Sequence, residues 1–419
     1  MKRWTRREFA LVAAGLSLAP RMARGQAKPR VVVIGGGVGG STVARYLAVC
    51  SKTLDVTLIE PNPHYTTCFF SNLYLAGLRS FESLTHGYET LSQRYGVNVI
   101  HDSAARIDPA AKIVGLRSGI TLPYDRLVVS PGIAFKFGAI EGYDEAATQI
   151  MPHAWNAGPQ TKLLRAQLEA MEDGGVFVIA APPDPFRCPP GPYERACLVA
   201  YYFMQYKPRS KILILDAKDT FFEQDLFQDG WNRHYPGVIE WLPAQFTGGV
   251  KGVDPKGRSV KTAGGAFNAS VANIIPPQVA GVLAQQAGLT DQSGWCPVDP
   301  MTFESKLQPG IHVVGDAASA GDMPKSAFSA NSQAKACAFA VAAALNGSQP
   351  IAPQLFNTCF TFLAADDAVA DAISFRVADG TIKIGDIFIS KVGESQETRR
   401  QAVREAGGWY DAFTHDVFG

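Results

Sequence analysis

The sequence has no dominant sign of charge: 39 lysines and arginines stand against 38 aspartates and glutamates, a formal net of +1. That balance leaves no electrostatic case for nucleic-acid binding. Long apolar runs are missing as well. The stretch over residues 10–20 is well below the ~18 residues that span a bilayer, and no later segment reaches that length, so no membrane span is expected in the mature chain. Cys-x-x-Cys is absent, which excludes a local redox pair, and so is Cys-x-x-Cys-His, which excludes c-type haem on this chain. The histidines at 64, 86, 101, 153, 234, 312 and 415 form no metal-like pairs, so no metal is expected. Low-complexity tracts are missing, and 47% hydrophobic with 18% charged residues excludes a disordered chain, a coiled coil and a collagen-like repeat.

What is present begins with an address. At 419 residues the chain has room for two or three domains, each with its own core. Residues 1–27 carry six of the basic side chains and only Glu8, so the remainder has 33 basic and 37 acidic residues and is mildly acidic. A basic start, a short apolar run and small residues around Gly25 and Ala27 predict a secretory signal. Arg6 and Arg7 give it the paired arginines of the twin-arginine route. The mature protein is therefore expected in the periplasm, soluble, where disulfides persist.

A dinucleotide fingerprint follows. Val-Val-Val-Ile at 31–34 predicts a parallel strand buried on both faces. Gly35, Gly37 and Gly40 then stand in a G-x-G-x-x-G frame, a helix is predicted over 41–50, and a strand over 56–59 ends at Glu60. Gly35 permits the turn, Gly37 lets the backbone approach a pyrophosphate with Val38 beside it, and the helix N-terminus faces the phosphates. Gly40 lets helix pack on strand, and Glu60 accepts from ribose hydroxyls. A second βαβ unit is predicted from a strand over 175–181, a helix over 193–205 and a strand over 211–216 that also ends in an acid. Its connecting loop has no glycine triplet and holds six prolines, which remove amide donors and stiffen the backbone. No NAD(P)H is expected to bind there.

Three segments select FAD. Gly315 and Asp316 close a strand ahead of a helix over 326–345, and Leu-Val-Val-Ser-Pro-Gly runs over 127–132 with Pro131 and Gly132 at its end. These resemble the distal and intermediate motifs of two-dinucleotide-domain flavoproteins, a likeness that assigns Asp316 to the ribityl chain. The segments 61–72, around Cys68, and 186–196, around Cys188, are similar to the flavoprotein subunit of flavocytochrome c sulfide dehydrogenase, as is the stretch 357–359 that ends in Cys359. The resemblance runs from about Lys28 to the C-terminus. It implies FAD linked covalently through Cys68, a redox disulfide between Cys188 and Cys359 at the isoalloxazine, and Glu194 as an acid near that disulfide. It also implies sulfide as substrate and a c-type cytochrome partner that carries the haem. Spacing alone cannot pair Cys188 with Cys359, and the competing reading for each is a buried apolar thiol or part of a stabilising disulfide. That bland reading is the expectation for Cys50, Cys197, Cys296 and Cys337. For Glu194 a first-turn carboxylate favoured by the helix dipole competes with the catalytic role.

The fold implied is α/β: two Rossmann-like dinucleotide-binding domains, the FAD domain split by insertion, and a C-terminal α+β interface domain. The divisions fall at 1–27 signal, 28–150 FAD domain, 151–275 second Rossmann-like domain, 276–348 FAD domain again, and 349–419 interface domain. The last predicts alternating strands over 373–390 around an Asp379-Gly380 turn. A polar helix over 395–405 is then expected, broken by Gly407 and Gly408, with aromatic residues in core or partner contacts. The expected activity is sulfide oxidation with electrons passed to cytochrome c. A sulfide:quinone oxidoreductase and an accessory flavoprotein of a sulfur-oxidation complex are the alternatives.

Overall fold

The computed structural model describes residues 28–419, so the expected signal lies outside the described residues. The first sheet is built from β1 (Arg30–Ile34), β2 (Asp55–Ile59), β3 (Asn98–Ile100) and β4 (Arg126–Val129), with α1 (Val38–Cys50) crossing from β1 to β2. The second is built from β5 (Val176–Ala181), β6 (Lys211–Asp216), β7 (Ile239–Leu242) and β8 (Val271–Ile274). Two helices serve it, α2 (Gly191–Tyr206) and α3 (Gln224–His234). The chain then returns to the first sheet as β9 (Ile311–Val313) and continues into α4 (Ala327–Leu345). A third sheet of β10 (Gln354–Ala364), β11 (Asp367–Ala378) and β12 (Thr381–Ile389) and the terminal helix α5 (Gln396–Phe418) complete it.

The first sheet runs β9-β4-β1-β2-β3, with every neighbour parallel. Strand order reverses at β1, and in open parallel sheets ligands bind outside the carboxyl ends of the strands at such a switch point. The fingerprint loop sits there. β1 has this place because its β-branched run is buried on both faces, Val31 to Ile34 all lying in the core. The second sheet, β7-β6-β5-β8, is also parallel throughout. The third is an antiparallel meander whose Asp379-Gly380 turn has positive φ at both residues, +51° and +70°, the geometry a two-residue hairpin requires.

Two helices, α1 and α5, depart from the sequence expectation at their glycines. α1 begins at Val38, so Gly39 and Gly40 are already helical. α5 does not break at Gly407 and Gly408 but runs unbroken to Phe418. Two interior glycines cost a helix about 1 kcal/mol each. Burial of Ala402, Ala406, Tyr410, Phe413, Val417 and Phe418 on one face of α5 recovers more, at about 1.5–3 kcal/mol per large side chain. Tertiary packing overrides propensity here. A Cβ at Gly408 would meet nothing within 4 Å. Gly408→Ala is therefore expected to stabilise the protein by about 1 kcal/mol, read as a higher denaturant midpoint; an unchanged or lower midpoint would contradict this account.

Candidate active site

The turn after β1 opens a groove of about 650 Å3. Its walls bring together Gly35, Gly37, Val38, Glu60, Cys68, Pro131, Gly132, Gly315 and Asp316, residues scattered over the chain. Gly40 is not on the wall. It lies against the turn itself, where a Cβ would sit 1.8 Å from the Gly35 carbonyl oxygen. The amide of Gly36 donates to Glu60 Oε2 at 2.8 Å, and Asn62 donates to Oε1 from its backbone N at 3.0 Å and Nδ2 at 2.9 Å. The carboxylate is thus fixed at the tip of β2. Gly37 caps α1, so that helix presents its free amides to the groove. Gly315 N donates to Gln333 Oε1 at 2.8 Å, which ties the strand end to α4. A helix N-terminus for the pyrophosphate and carboxylates from two parts of the chain for hydroxyl groups fit an extended dinucleotide such as FAD.

At Cys68 this groove meets a smaller inner cavity of about 70 Å3, since Cys68 and Arg187 line both. Cys188, Glu194, Cys359, Phe328 and Trp409 also line the inner cavity. Cys188 and Cys359 further share the wall of an outer cavity of about 370 Å3. The fold therefore brings the three cysteines singled out from the sequence to one place, all as free thiols. Cys188 is held in a left-handed conformation, φ +59°, which costs a non-glycine residue on the order of 1 kcal/mol or more. Its amide donates to the Lys325 carbonyl at 2.8 Å, and its carbonyl accepts from Gly191 N at 2.9 Å. Burial pushes the thiols of Cys188 and Cys359 well above their usual range. As thiols both are inert, and chemistry at them needs an exchange partner or a proton acceptor.

Glu194, in the first turn of α2, is half-buried. Its Oε2 accepts from Asn72 Nδ2 at 2.7 Å and its Oε1 from Phe362 N at 3.0 Å. Burial raises its carboxyl above the usual range, against the pull of those two donors. The next residue, Arg195, is 2% exposed. It donates to Asn72 Oδ1, the carbonyls of His153 and Ala154, and Asn273 Oδ1, all between 2.8 and 3.1 Å. These bonds tie α2 to the segments at 72, 153–154 and 273, so this arginine holds the scaffold around the inner cavity that it also lines.

In the second βαβ unit, the acid that ends β6 is already spent. Asp216 is fully buried and accepts from Tyr193 at 2.5 Å, Trp241 Nε1 at 2.9 Å and Lys218 Nζ at 2.7 Å. The Tyr193 ring stacks on Phe221 with centroids 3.6 Å apart.

Sequence reasoning missed Arg187. Its guanidinium lies 3.6 Å from Asp316 Oδ2 and hydrogen-bonds the Trp155 carbonyl and, at 2.9 Å, Asn156 Oδ1. It is the cation shared by groove and inner cavity. Its place beside Cys188 was a signal, but its acid partner is far off in sequence. Trp409 was also missed as a site residue. From α5 its indole N–H reaches Thr358 Oγ1 at 2.9 Å, and it faces the cavity beside Cys359. Of the four cysteines expected to be buried, Cys197, Cys296 and Cys337 are, whereas Cys50 is exposed at the end of α1, where the helix runs out of core to enter.

Comparison with known proteins places families along most of this chain. Residues 161–276 match the family "Sulfide dehydrogenase [flavocytochrome c] flavoprotein chain, central", and residues 351–418 match "Flavocytochrome c sulphide dehydrogenase, flavin-binding". Residues 29–165 match "Pyridine nucleotide-disulphide oxidoreductase". The sulfide dehydrogenase [flavocytochrome c] flavoprotein chain of Chlorobaculum thiosulfatiphilum is 51% identical over 43 residues, 10% of this chain and 90% of that sequence. The sulfide-quinone reductase of Aquifex aeolicus is 34% identical over 183 residues, 43% of this chain and 41% of that protein. The mitochondrial sulfide:quinone oxidoreductase of Mus musculus is 23% identical over 68% of this chain and 65% of its own. The chain thus aligns with less than two thirds of either quinone-linked relative. Among solved structures, the Aquifex aeolicus sulfide:quinone oxidoreductase superposes with a TM-score of 0.74 at 21% identity, over 93% of this chain and 91% of that one. That likeness establishes the shared fold.

Proposed function

The chain belongs to the flavocytochrome c sulfide dehydrogenase flavoprotein and sulfide:quinone oxidoreductase family, and from that premise we propose that it is an FAD-dependent sulfide dehydrogenase that passes electrons to a c-type cytochrome. The observation that carries this reading is the convergence of Cys68, Cys188 and Cys359 on one cavity at the inner end of a dinucleotide groove. Residues 35–40, Glu60, Pro131, Gly132, Gly315 and Asp316 would hold the FAD, with Cys68 as its covalent anchor. Bound there, FAD supplies an acceptor of two electrons that can release them singly.

The chain's own residues supply the rest. We take Cys188 and Cys359 to form a disulfide in the resting enzyme. Hydrosulfide attacks one of its sulfurs; the new S–S bond makes a persulfide, the old one breaks, and the other cysteine leaves as a thiolate. Arg187 offers the inner cavity a positive charge that draws the anionic nucleophile and favours the thiolate product. Glu194 fixes the start of α2 to β10 through Phe362 N, and so helps to position Cys359 against Cys188. The aromatic wall of Phe328 and Trp409 keeps water from the persulfide. The spent Asp216 and the proline loop argue against nicotinamide as electron source, because neither ribose acceptor nor amide cradle is free.

A cytochrome acceptor is favoured over quinone by the tail. The apolar face of α5 is buried in the protein, not left free to enter a bilayer, and among the described residues no helix is long and apolar enough to cross a membrane. We place the protein in the periplasm on its paired N-terminal arginines. The test has two stages. Mature protein is precipitated with acid, and its Cys68 peptide is weighed. Flavin retained in the pellet, with an FAD-sized increment on that peptide, is the expected result; free flavin in the supernatant removes the covalent link. Sulfide is then added with cytochrome c or with a soluble quinone. Preferential quinone reduction would move the assignment to the quinone-linked relatives, and no turnover with either would leave an accessory flavoprotein.

A further inference from the structure

The outer cavity carries a carboxyl that the reaction above does not use. Asp371 on β11 is the Cα partner of Cys359 on β10. Residues directly opposite in an antiparallel pair hold their Cβ atoms about 4.5–5.5 Å apart on one face. Both line the outer cavity, and Asp371 is 5% exposed. Its orientation is imposed by Asn357, two residues before Cys359 on the same face, whose Nδ2 donates to Asp371 Oδ1 at 2.8 Å. The Asn357 amide cannot flip, because its Oδ1 accepts from Ser326 Oγ at 2.5 Å, and Ser326 caps α4. Among the described residues, Asp371 Oδ2 accepts no hydrogen bond, whereas both oxygens of Glu194 are engaged. Glu223, which caps α3 with φ +62°, has both carboxyl oxygens buried without a hydrogen-bond partner.

Asp371 acts on the Cys359 thiol from β10 and on Glu223 at the start of α3; Glu194 from α2 also acts on both of these, Arg399 from α5 acts on Glu223, and Cys188 from the proline loop acts on Cys359. Asp184, Lys218 and Asp322 lie around the same cavity. Carboxyls and thiols buried together cannot all be charged. Burial pushes Asp371 up to about 7. Burial first, and then the charges of Asp371 and Glu194, push Glu223 up to about 8. Both can therefore gain or lose a proton near neutrality.

We propose that Asp371 is the proton acceptor for the Cys359 thiol, with Glu223 as the neighbouring carboxyl that keeps the site to a single negative charge. The proposal rests on Cys359 being one of the redox cysteines. In the step, the S–H bond of Cys359 breaks and an O–H bond forms on Asp371. Thiol plus carboxylate become thiolate plus carboxylic acid, with one negative charge on each side and no electron moved. The thiolate is the form competent for exchange with disulfide or persulfide sulfur.

The test compares wild-type holoenzyme with Asp371→Asn, Asp371→Glu and Glu223→Gln at pH 8, where added sulfide is mostly hydrosulfide. The reduced-minus-oxidised infrared difference spectrum of wild type is expected to gain a protonated-carboxyl C=O band that is missing in Asp371→Asn. The rate of flavin bleaching by sulfide is expected to fall by about a hundredfold in that variant and to recover in part in Asp371→Glu. Glu223→Gln is expected to keep the band at an altered frequency, and it carries the test should Asp371→Asn not fold. A merely structural role would alter stability but not the band. An Asp371→Asn enzyme with the band intact and bleaching within twofold of wild type overturns the proposal. Wild-type protein whose Cys188 and Cys359 stay unmodified after sulfide and alkylation overturns the underlying disulfide reading instead.

Discussion

Cys359→Ser is expected to lower sulfide-dependent reduction of any acceptor by at least about a thousandfold while leaving the flavin content unchanged. Serine matches cysteine in shape, so the cavity keeps its walls. What disappears is the sulfur that forms a disulfide, leaves as a thiolate or shares a persulfide. Cys359 is on the inner and outer cavities but not on the dinucleotide groove, so cofactor binding has no reason to change. Cys188→Ser should behave in the same way, because the exchange needs both partners. Cys50→Ser is the control, its thiol being exposed at the end of α1. Stopped-flow bleaching of the flavin by sulfide separates this from a defect in passing electrons onward. A Cys359→Ser enzyme within tenfold of wild type would remove the disulfide from the mechanism.

Gly40→Ala should leave a protein that holds no flavin and is destabilised by about 3 kcal/mol or more. The added methyl would lie 1.8 Å from the Gly35 oxygen and 3.0 Å from its carbonyl carbon. These are backbone atoms and cannot rotate away. To make room, α1 must lift from the turn and carry its N-terminal amides out of the groove. The movement would also strain the bond from Gly35 N to the Ile59 carbonyl, 2.9 Å long, that joins the turn to β2. Gly132→Ala is the instructive contrast. Its φ of +64° strains a side chain, but nothing lies within 4 Å of the new Cβ, so the cost should stay near 1–2 kcal/mol. Flavin-to-protein ratio and thermal unfolding of the two variants decide the matter. Full flavin content in Gly40→Ala would show that the helix-to-turn contact does not set the cofactor site.

The two-sheet architecture and the cofactor groove were legible in the sequence because their signals are local. A strand buried on both faces must be apolar throughout, a dinucleotide turn must have glycines at fixed offsets, and a helix must start where phosphate amides are needed. Residues 30–40, Glu60 and residues 311–316 meet those demands within short windows, and the structure sets them around one groove. The proline loop likewise announced its lack of amide donors by composition alone. The unbroken course of α5 was not legible. Gly407 and Gly408 read as a helix end, and only the surface offered to Tyr410, Phe413 and Val417 outweighs their cost.

Pairings across long stretches of chain were decided by the tertiary structure. Arg187 acquires its place from Asp316, just past β9 in the other dinucleotide domain. Asp216 ends its strand as the acid of a βαβ unit, and only the fold shows that Tyr193, Trp241 and Lys218 occupy it. Asp371 has no local motif at all, and only the register of β10 against β11 sets it beside Cys359. The sequence by itself determined which backbone segments could hold a dinucleotide, since turn and strand chemistry acts over a few residues. Only the packing of three sheets determined which charges and thiols share a cavity, because proximity and desolvation, which govern proton and sulfur chemistry, belong to no single segment of the chain.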